Sequence, residues 1–377
     1  MRLLYLVSHP IQYQAPLLRF ISDDPNIQLK VLFEHMDSVE GYYDAGFETN
    51  ISWDMDLTNG YEYHHVKSIS EINLHLMVTD ALWLHGWDTA LKRRALHSAW
   101  KYEVPVLMRG ENTISAMPDG KALRGLVKRL YLHRVFNRCA GFLCIGSDNR
   151  EYYSTHGVRQ QQLFDMPYAI DNESFSKSAR KSENNLWDSF DLEYGRPIIL
   201  FAGKFLRRKN PAMLLDACRL MNRKIARDPY LLFVGRGEEE ENLREVAGDL
   251  DWVRFLGFRN QLELPAIYAM ADVFVLPSQC EPWGLAINEA MACGTAVIST
   301  DECGCSADLV DDTVGRLIPA GDREALGAAI EEVLADSERC SAMGRAASKR
   351  ISSWGFVEDL GGLKEALNAV VVSRRQS

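Results

Sequence analysis

Two lysines and two glutamates in the second half of the chain stand close enough in sequence to act together. Lys204 and Lys209 lie five residues apart, directly after the buried-type run IILFA, and their ammonium groups can converge on a diphosphate as point charges. Glu281 falls in a loop after the run VFVL. Glu289 falls about two turns into the helix predicted next, where its carboxylate can reach a ribose hydroxyl.

Glycine-containing turns accompany these side chains. Gly203 precedes Lys204, the turn GRG occupies 235–237 after the run LLFV, and Gly284 stands just before the predicted helix. Glycine lets a backbone approach a ligand closely. The first amides of a helix have no partner within it and can bind phosphate. The lysines, the glycine-containing turns and the start of the predicted helix together favour an anionic nucleotide ligand.

Each piece also has an ordinary structural interpretation. The lysines can belong to a solvated basic loop, and a G-x-G turn often serves only as a tight strand-to-helix connection. The glutamates can be a surface acid and a charge near a helix start. The prediction of a binding site therefore rests on the occurrence of the lysines, the glycine turns and the glutamates together in this order, and not on any one of them.

The elements that must position these residues follow an alternating pattern. Short aliphatic or β-branched runs alternate with longer helical patterns, which predicts parallel strands joined by crossover helices. The predicted strands are Leu3–Val7, Leu29–Phe33, Ala81–Leu84, Val106–Met108, Gly141–Cys144, Ile198–Phe201, Tyr230–Val234, Val253–Leu256, Val273–Leu276 and Ala296–Ser299. Ligands of such sheets bind at the carboxyl ends of the strands, where the lysines and Glu281 fall.

Length and composition indicate two folded domains. A chain of 377 residues exceeds one ordinary core. We expect an N-terminal Rossmann-like domain over residues 1–172, a C-terminal one over 173–355, and a terminal helix over 356–377. The polar stretch 174–191 predicts an interdomain linker.

The charge and the cysteines exclude some functions. A net charge of −10 argues against a nucleic-acid partner but leaves room for a small anion held by local cations. The eight cysteines form no repeating frame, and Cys303-Gly304-Cys305 has no second pair to complete a zinc site, so we expect reduced thiols and no metal. Because no apolar run reaches spanning length, we expect a cytoplasmic protein.

The segment P-S-x-x-E-P-W-G-L-x-x-x-E-A-M-A-C-G-T-A-V-I over 277–298, with G-K-x4-K, V-G-R-G and F-L-G-F upstream in the same order, resembles the retaining glycosyltransferases of family 4. The match covers roughly residues 197–320. The resemblance implies the GT-B fold, in which two Rossmann-like doubly wound domains face each other across a cleft. It also implies that the terminal helix over 356–377 crosses back to the first domain. It further implies hexosyl transfer from a nucleotide-sugar donor, a UDP- or GDP-sugar, to a hydroxyl acceptor, with retention of configuration and without a metal or other cofactor.

The resemblance assigns roles to the matching positions. Lys204 and Lys209 match the basic pair that holds the donor diphosphate, Glu281 matches the acid that contacts the transferred sugar, and Glu289 matches the acid that binds the ribose. The catalytic set is His85, Lys204, Lys209 and Glu281. The donor-binding set is Gly203, Lys204, Lys209, Gly235, Arg236, Phe258, Ser278, Glu281, Gly284, Leu285, Ala286 and Glu289.

The first half departs from the family pattern. Its loop after the first strand, SHPIQYQAP, has no glycine where the family places a glycine-rich loop. His85 ends the run DALWLH and resembles the family's strand-end histidine near the transferred sugar, with a structural histidine as the alternative. The predicted acceptor residues are Gln12, Tyr13, Arg109, Glu111 and Asn112. We expect a glycan or lipid-linked acceptor from polysaccharide or glycolipid biosynthesis.

One predicted helix in the first half carries a basic side and an apolar side. The basic residues are Lys121, Arg124, Lys128 and Arg129, and the apolar residues are Leu123, Leu126, Val127 and Leu130. Such a helix either rests on anionic lipid headgroups as a peripheral membrane contact or packs its leucines on the first sheet.

Two other functions fit the same motifs. A nucleotide-sugar epimerase of the GT-B type keeps the fold and changes the chemistry. A catalytically silent nucleotide-sugar-binding subunit would explain the altered loop after the first strand, although the lysines and glutamates that stabilise charge are all present.

Overall fold

The computed structural model of the chain describes residues 1–118, 122–180, 186–221 and 228–372. It divides the chain into two compact units. The first unit holds Met1–Gly41, Asp56–Ile170 and the residues from Trp354 onward, and the second unit holds Tyr42–Met55 and Asp171–Ser353. The chain therefore changes unit at Ile170–Asp171 and Ser353–Trp354, near the boundaries expected from the sequence. The short segment Tyr42–Met55 departs from that expectation.

The strands of the described residues, in chain order, are β1 Arg2–Val7, β2 Gln28–Phe33, β3 Tyr42–Asp44, β4 Thr49–Ile51, β5 Glu62–His65, β6 Ala81–His85, β7 Val106–Arg109, β8 Gly141–Cys144, β9 Leu163–Asp165, β10 Ile198–Ala202, β11 Tyr230–Val234, β12 Val253–Gly257, β13 Val273–Leu276, β14 Ala296–Thr300 and β15 Gly315–Ile318. Each strand predicted from the sequence lies inside one of these. The short strands β3, β4, β5, β9 and β15 were not predicted.

The helices of the same residues are α1 Gln14–Ser22, α2 Asp37–Glu40, α3 Ile69–Leu76, α4 Ala90–Lys101, α5 Ala122–Phe136, α6 Ser147–Thr155, α7 Asn172–Ala179, α8 Leu186–Ser189, α9 Pro211–Leu220, α10 Glu240–Ala247, α11 Leu264–Met270, α12 Leu285–Ala292, α13 Ser306–Leu309, α14 Arg323–Leu334, α15 Ser337–Ile351 and α16 Phe356–Leu367. Short 3₁₀ turns occupy Gln160–Gln162 and Arg207–Lys209. None of the described helices is both long enough and apolar enough to cross a membrane.

The first unit is built on a parallel sheet with helices on both faces. Within the described residues the strand order is β5-β2-β1-β6-β7-β8-β9. Successive side chains of a strand point to opposite faces, so Leu4 and Leu6 join one core and Leu3, Tyr5 and Val7 join the other. Helices α3, α4, α5 and α6 cover the first face, and α1 and α16 cover the second.

The second unit repeats the design. Its described strands pair in parallel in the order β12-β11-β10-β13-β14-β15. Every residue of β10, β11, β13 and β14 is buried, as expected for a parallel sheet covered by helices on both faces. The carboxyl ends of all these strands meet at one edge of the sheet.

The predicted linker begins as an ordered helix, so that part of the prediction was wrong. Helix α7 is capped by Asp171, whose side chain accepts a hydrogen bond from the Ser174 amide at 2.9 Å. Phe175 and Ala179 are buried where α7 packs on α11 and α12. Two apolar residues one helical turn apart, with no further apolar residue before Leu186, gave the sequence too weak a period to reveal this helix.

Helix α5 presents its apolar residues outward. Leu123, Leu126, Val127 and Leu130 are exposed, with 72%, 56%, 58% and 52% of their surface accessible. The expectation that these leucines pack on the first sheet is therefore wrong. The large apolar side chains that this helix buries are those of Leu132, Val135 and Phe136. Lys121 lies outside the described residues.

The glycine pair in α16 offers a test of how tightly this helix packs on β9. A Cβ atom added at Gly362 would lie 1.6 Å from the carbonyl oxygen of Asp165, whereas one added at Gly361 would meet nothing within 4 Å. We expect Gly362→Ala to lower the free energy of unfolding by about 1–3 kcal/mol or more, because backbone atoms must move apart. The matched change Gly361→Ala should be neutral or stabilise by up to about 1 kcal/mol. Urea unfolding midpoints compare the two variants, and equal midpoints would contradict the packing.

Candidate active site

The candidate site lies at the carboxyl edge of the sheet of the second unit. Gly203 and Lys204 follow β10, the GRG turn follows β11, Phe258 follows β12, and Ser278 follows β13. Because these strands are parallel neighbours, residues from four separate motifs reach the same edge. The structure thus brings together the donor-binding residues that the sequence proposed.

Close backbone packing explains the glycines of this edge. Gly235 has φ +128°, and a Cβ atom there would lie 1.9 Å from the carbonyl oxygen of Gly203. The Gly203 amide donates to the Val234 carbonyl at 2.9 Å, which continues the pairing of β10 and β11 past their ends. Only glycine fits at 235, so the turn holds the Lys204 loop against the neighbouring strand.

Glu281 is the centre of a partly buried charge cluster. Its Oε2 lies 2.6 Å from Lys209 Nζ and 2.9 Å from an Arg208 guanidinium nitrogen. The 3₁₀ turn Arg207–Lys209 folds both cations back toward the carboxylate. Burial by itself would raise the pKa of Glu281, but the charges of Lys209 and Arg208 outweigh it and hold the pKa below its ordinary value. Glu281 is therefore an ionised acceptor at neutral pH.

Lys204 is paired as well. Its Nζ lies 2.8 Å from Oδ1 and 2.9 Å from Oδ2 of Asp44, which belongs to the short segment Tyr42–Met55 of the same unit. The two lysines of the motif thus each lie against a carboxylate.

Glu289 lies on helix α12, in surroundings that are less polar than those of Glu281. Its Oε2 accepts a hydrogen bond from the Tyr268 hydroxyl at 2.7 Å. Burial raises the pKa of Glu289 to about 7, and the Tyr268 hydrogen bond and the charge of Lys209 offset only part of the rise. Near neutral pH this carboxyl exchanges a proton readily.

The start of α12 is fixed by its neighbours. Gly284 has φ +102°, and a Cβ atom there would crowd Leu276 Cδ2 at 3.2 Å. The indole of the preceding Trp283 is buried and donates to Asn288 Oδ1 at 3.0 Å. The amides of Leu285 and Ala286 belong to the first turn of the helix, where N–H groups lack helical partners and can bind an anion.

The remaining donor-binding candidates differ in exposure. Ser278 is fully buried, and its hydroxyl has no hydrogen-bond partner among the described residues. Arg236 is exposed. Phe258 is partly buried and packs its ring against Phe47 and Trp53, with centroid distances of 5.1 and 6.1 Å.

The cysteines are free thiols, and Cys303 and Cys305 are buried behind the Glu281 loop. Across the described part of the chain, no three or more His, Cys, Asp or Glu side chains are grouped to hold a metal ion.

His85 ends β6 in the first unit, as predicted. Its Nδ1 lies 2.9 Å from the Tyr5 hydroxyl. Burial, reinforced by the positive charges of Arg109 and Lys92, lowers the pKa of His85 to about 3. The imidazole is therefore neutral at physiological pH and can exchange hydrogen bonds without carrying charge.

Arg109 has a structural position that contradicts its predicted acceptor role. Only 2% of its surface is accessible, and its guanidinium donates to the carbonyl oxygens of Met166 and Pro167 at 3.3 and 3.1 Å. A further nitrogen lies 3.3 Å from Asp359 Oδ1 on α16. A strand-end arginine could not be told from a ligand-binding one by sequence, because its partners come from remote segments.

The other acceptor candidates are only partly brought together. Tyr13 and Glu111 meet at the hydroxyl of Tyr168, which donates to the Glu111 carboxylate and shares a hydrogen bond with the Tyr13 hydroxyl. Asn112 instead contacts Met117 and, through its backbone, Asn149. Gln12 is partly exposed beside Tyr13 in the loop before α1. Of the proposed acceptor residues, the structure therefore brings Tyr13 and Glu111 together and places Asn112 among other partners.

Comparison with known proteins bears on this site directly. Residues 186–350 match the family model described as glycosyl transferases group 1. This part of the second unit is therefore similar to the group 1 glycosyltransferases. A GDP-mannose-dependent alpha-(1-6)-phosphatidylinositol monomannoside mannosyltransferase of Mycolicibacterium smegmatis is 27% identical over 263 residues, covering 64% of this chain and 68% of that protein. The lipopolysaccharide core glycosyltransferase LpsE of Rhizobium meliloti is 36% identical over 152 residues, covering 39% of this chain and 42% of its own length.

Solved glycosyltransferases share the whole fold. HepE of Anabaena, solved with UDP and glucose, matches with a TM-score of 0.73 over 98% of this chain and 100% of its own, at 15% identity. These findings confirm the predicted glycosyltransferase family and the GT-B fold. The sequence matches to the curated relatives cover less than half of LpsE and about two thirds of the mannosyltransferase.

Sequence reasoning did not single out three residues of the candidate site. Arg208 lies within the G-K-x4-K motif, and its pairing with Glu281 could have been suspected from its charge. Asp44 and Tyr268 come from remote segments with no recognisable motif, so no sequence signal pointed to their contacts with Lys204 and Glu289.

The raised pKa of Glu289 predicts a pH-dependent stability. The carboxyl binds its proton up to about pH 7 in the folded protein but only up to its ordinary pKa of 4.5 when unfolded. Stability is therefore greatest below that lower value and falls as pH rises through about 7. Relative to Glu289→Gln, the wild type should lose roughly 2–3 kcal/mol between about pH 5 and about pH 8. Urea unfolding of both proteins across this range measures the difference, and parallel pH curves would contradict it.

Proposed function

We propose that this protein transfers a hexosyl group from a nucleotide-sugar donor, bound in the second unit, to a hydroxyl of a glycan or lipid-linked acceptor. The observation that carries the proposal is the convergence of Lys204, Lys209 and the start of α12 at one sheet edge, beside Glu281 and Glu289. Cations and free amides suit a diphosphate, and carboxylates suit sugar hydroxyls.

The chemistry follows from where charge develops. As the bond between the anomeric carbon and the diphosphate breaks, negative charge grows on the diphosphate. Lys204, Lys209 and the amides of Leu285 and Ala286 stabilise that charge from fixed positions. We therefore propose that the reaction needs no metal ion. The residues offer the stabilisation that a divalent cation supplies in other transferases.

Glu281 serves the transferred sugar in this proposal. Its carboxylate is kept ionised by Lys209 and Arg208, so it accepts hydrogen bonds from sugar hydroxyls without taking up a proton. Retention of configuration is proposed from the resemblance to family 4. His85 is proposed as the neutral hydrogen-bonding group that the first unit contributes.

We propose that the nucleotide of the donor is UDP or GDP. The mycolicibacterial relative is named as GDP-mannose-dependent, and HepE was solved with UDP. Glu289 binds the ribose in either case, because both nucleotides carry the same ribose hydroxyls.

We further propose that α5 rests on a membrane surface, at the cytoplasmic face, where a lipid-linked acceptor would be met. Its exposed residues Leu123, Leu126, Val127 and Leu130 form one stripe at helical spacing. Arg124 and Arg129 are exposed beside them and can pair with anionic headgroups.

A nucleotide panel tests the donor site. We expect UDP or GDP, added in EDTA, to raise the melting temperature of the wild type, because a ligand at 100 times its dissociation constant stabilises by about 2.7 kcal/mol. The shift should be largely lost in Glu289→Ala and in Lys204→Ala/Lys209→Ala. ADP, CDP and dTDP serve as comparison ligands. A shift that appears only with added Mg²⁺ would contradict metal independence, and no shift with any nucleotide would contradict the proposed function.

Vesicle binding tests the membrane contact. Leu126→Glu/Leu130→Glu should abolish co-sedimentation with vesicles of phosphatidylcholine and phosphatidylglycerol, because two charges enter the apolar stripe. The matched control is Leu74→Glu/Met77→Glu, which changes two apolar side chains near the end of α3 that are somewhat more exposed than Leu126 and Leu130. Equal loss in both variants, or no binding by the wild type, would contradict the assignment to α5.

A further inference from the structure

The segment Tyr42–Met55 interrupts the sequence of the first unit and folds with the second. It leaves after β2, forms the antiparallel hairpin β3–β4, and returns before β5. It is fixed to the loop after β12 by hydrogen bonds from Asn260 Nδ2 to the Ser52 carbonyl at 2.7 Å and from the Leu262 amide to Asp54 Oδ2 at 2.9 Å. The rings of Phe47 and Trp53 pack on Phe258 beside these bonds.

Asp44 is the polar centre of this segment. Only 8% of its surface is accessible. Its Oδ1 accepts the amides of Gly46 and Phe47 at 2.8 and 3.0 Å, and its Oδ2 accepts the Tyr42 hydroxyl at 3.1 Å. The carboxylate is therefore fixed by its own hairpin before any other partner is considered.

Lys204 lies across the turn of the hairpin. A Cβ atom added at Gly46 would come within 2.7 Å of Lys204 Cδ and 3.0 Å of its Nζ. One added at Gly237 would come within 2.8 Å of the Gly46 carbonyl oxygen. Glycines at both positions thus let the hairpin turn, the lysine and the GRG turn pack directly on one another.

The arrangement fixes a side chain that is otherwise flexible. A lysine loses up to about 2 kcal/mol of conformational entropy when it is held in one place. Because both oxygens of Asp44 contact Nζ, the Lys204 side chain has already lost this entropy before a ligand arrives. An ammonium group has three N–H donors, so two contacts with Asp44 leave at least one donor for a phosphate oxygen.

Asp44 is itself held in its ionised form. Burial would raise the pKa of Asp44, but its hydrogen bonds to Lys204 and to the hairpin amides lower it below the ordinary value. The group that faces Lys204 Nζ therefore carries a full negative charge.

We propose that the hairpin segment Tyr42–Met55 is a working part of the donor site, in which Asp44 is the positioning residue that holds the Lys204 ammonium ready for the donor diphosphate. This inference rests on the proposed function. It concerns a segment that lies outside residues 186–350, the part of the chain that matches the family model.

The test compares nucleoside diphosphates with monophosphates. In Asp44→Asn the amide oxygen still accepts the Gly46 and Phe47 amides, but the negative charge beside Lys204 is gone. We expect isothermal titration to show about tenfold weaker binding of UDP or GDP, about 1.4 kcal/mol, and a change of less than about twofold for UMP or GMP. A merely structural role would weaken both classes alike. The matched control is Glu48→Gln, which removes an exposed carboxylate from the same hairpin and should change neither.

Two further variants test the positioning of Lys204 without relying on the effect of Asp44→Asn alone. Gly46→Ala should displace the end of the Lys204 side chain without altering any charge, and should reproduce the selective loss of diphosphate binding. In a Lys204→Ala background, Asp44→Asn should have no additional effect, because the residue it positions is absent.

The outcomes separate the inference from the function on which it rests. If the wild type binds UDP or GDP and Asp44→Asn binds it equally or more tightly, the inference is wrong and the proposed function stands. Equal losses for diphosphates and monophosphates would also overturn the inference. If the wild type binds no nucleoside diphosphate, both the inference and the proposed function fail.

Discussion

Two lysine ammonium groups lie at one partly buried edge of the second unit, and each needs a nearby negative charge when no ligand is bound. Glu281 supplies that charge for Lys209, and Asp44 supplies it for Lys204. A cation withdrawn from water is stable only when it is paired and hydrogen-bonded. The positions of the Glu281 loop and of the hairpin at residues 42–55 follow from this constraint. Both bring carboxylates to cations that the sheet has already placed.

The pairing shapes the proposed chemistry as well. Glu281 remains ionised beside Lys209 and Arg208, whereas Glu289, only eight residues on, is bonded to the Tyr268 hydroxyl and has a pKa raised to about 7. Two glutamates of one motif therefore have different proton affinities because their surroundings differ. The ionised one suits sugar hydroxyls near the reacting bond. The other suits a neutral ribose, which places no second charge beside it.

Close backbone packing also determines how the loops at this edge of the sheet are placed. Gly235, Gly237 and Gly284 stand where a Cβ atom would strike a neighbouring strand end or side chain, so the loops of this edge lie closer together than other residues would permit. In the first unit, a buried side chain rather than a glycine holds neighbouring elements together. Its buried Arg109 bonds to Asp359 and to two backbone carbonyls, which ties α16 to the sheet. Arg109 therefore stabilises the fold of the first unit and is not available to bind a ligand.

The sequence by itself determined the alternation of strands and helices and the donor motif, because each depends on residues close together in the chain. The GT-B fold was implied by the family resemblance that this motif carries. Apolar periodicity predicted the long strands, and the order of Lys204, Lys209, Glu281 and Glu289 predicted the donor edge. Only the tertiary structure decided the partners of those residues. Asp44 is separated from Lys204 by 160 residues, and Asp359 lies still farther from Arg109. A contact between segments so far apart leaves no local pattern, since it depends on where the sheets place each chain end. The outward face of α5 has the same origin, because periodicity shows that a helix has an apolar stripe but not which surface that stripe meets.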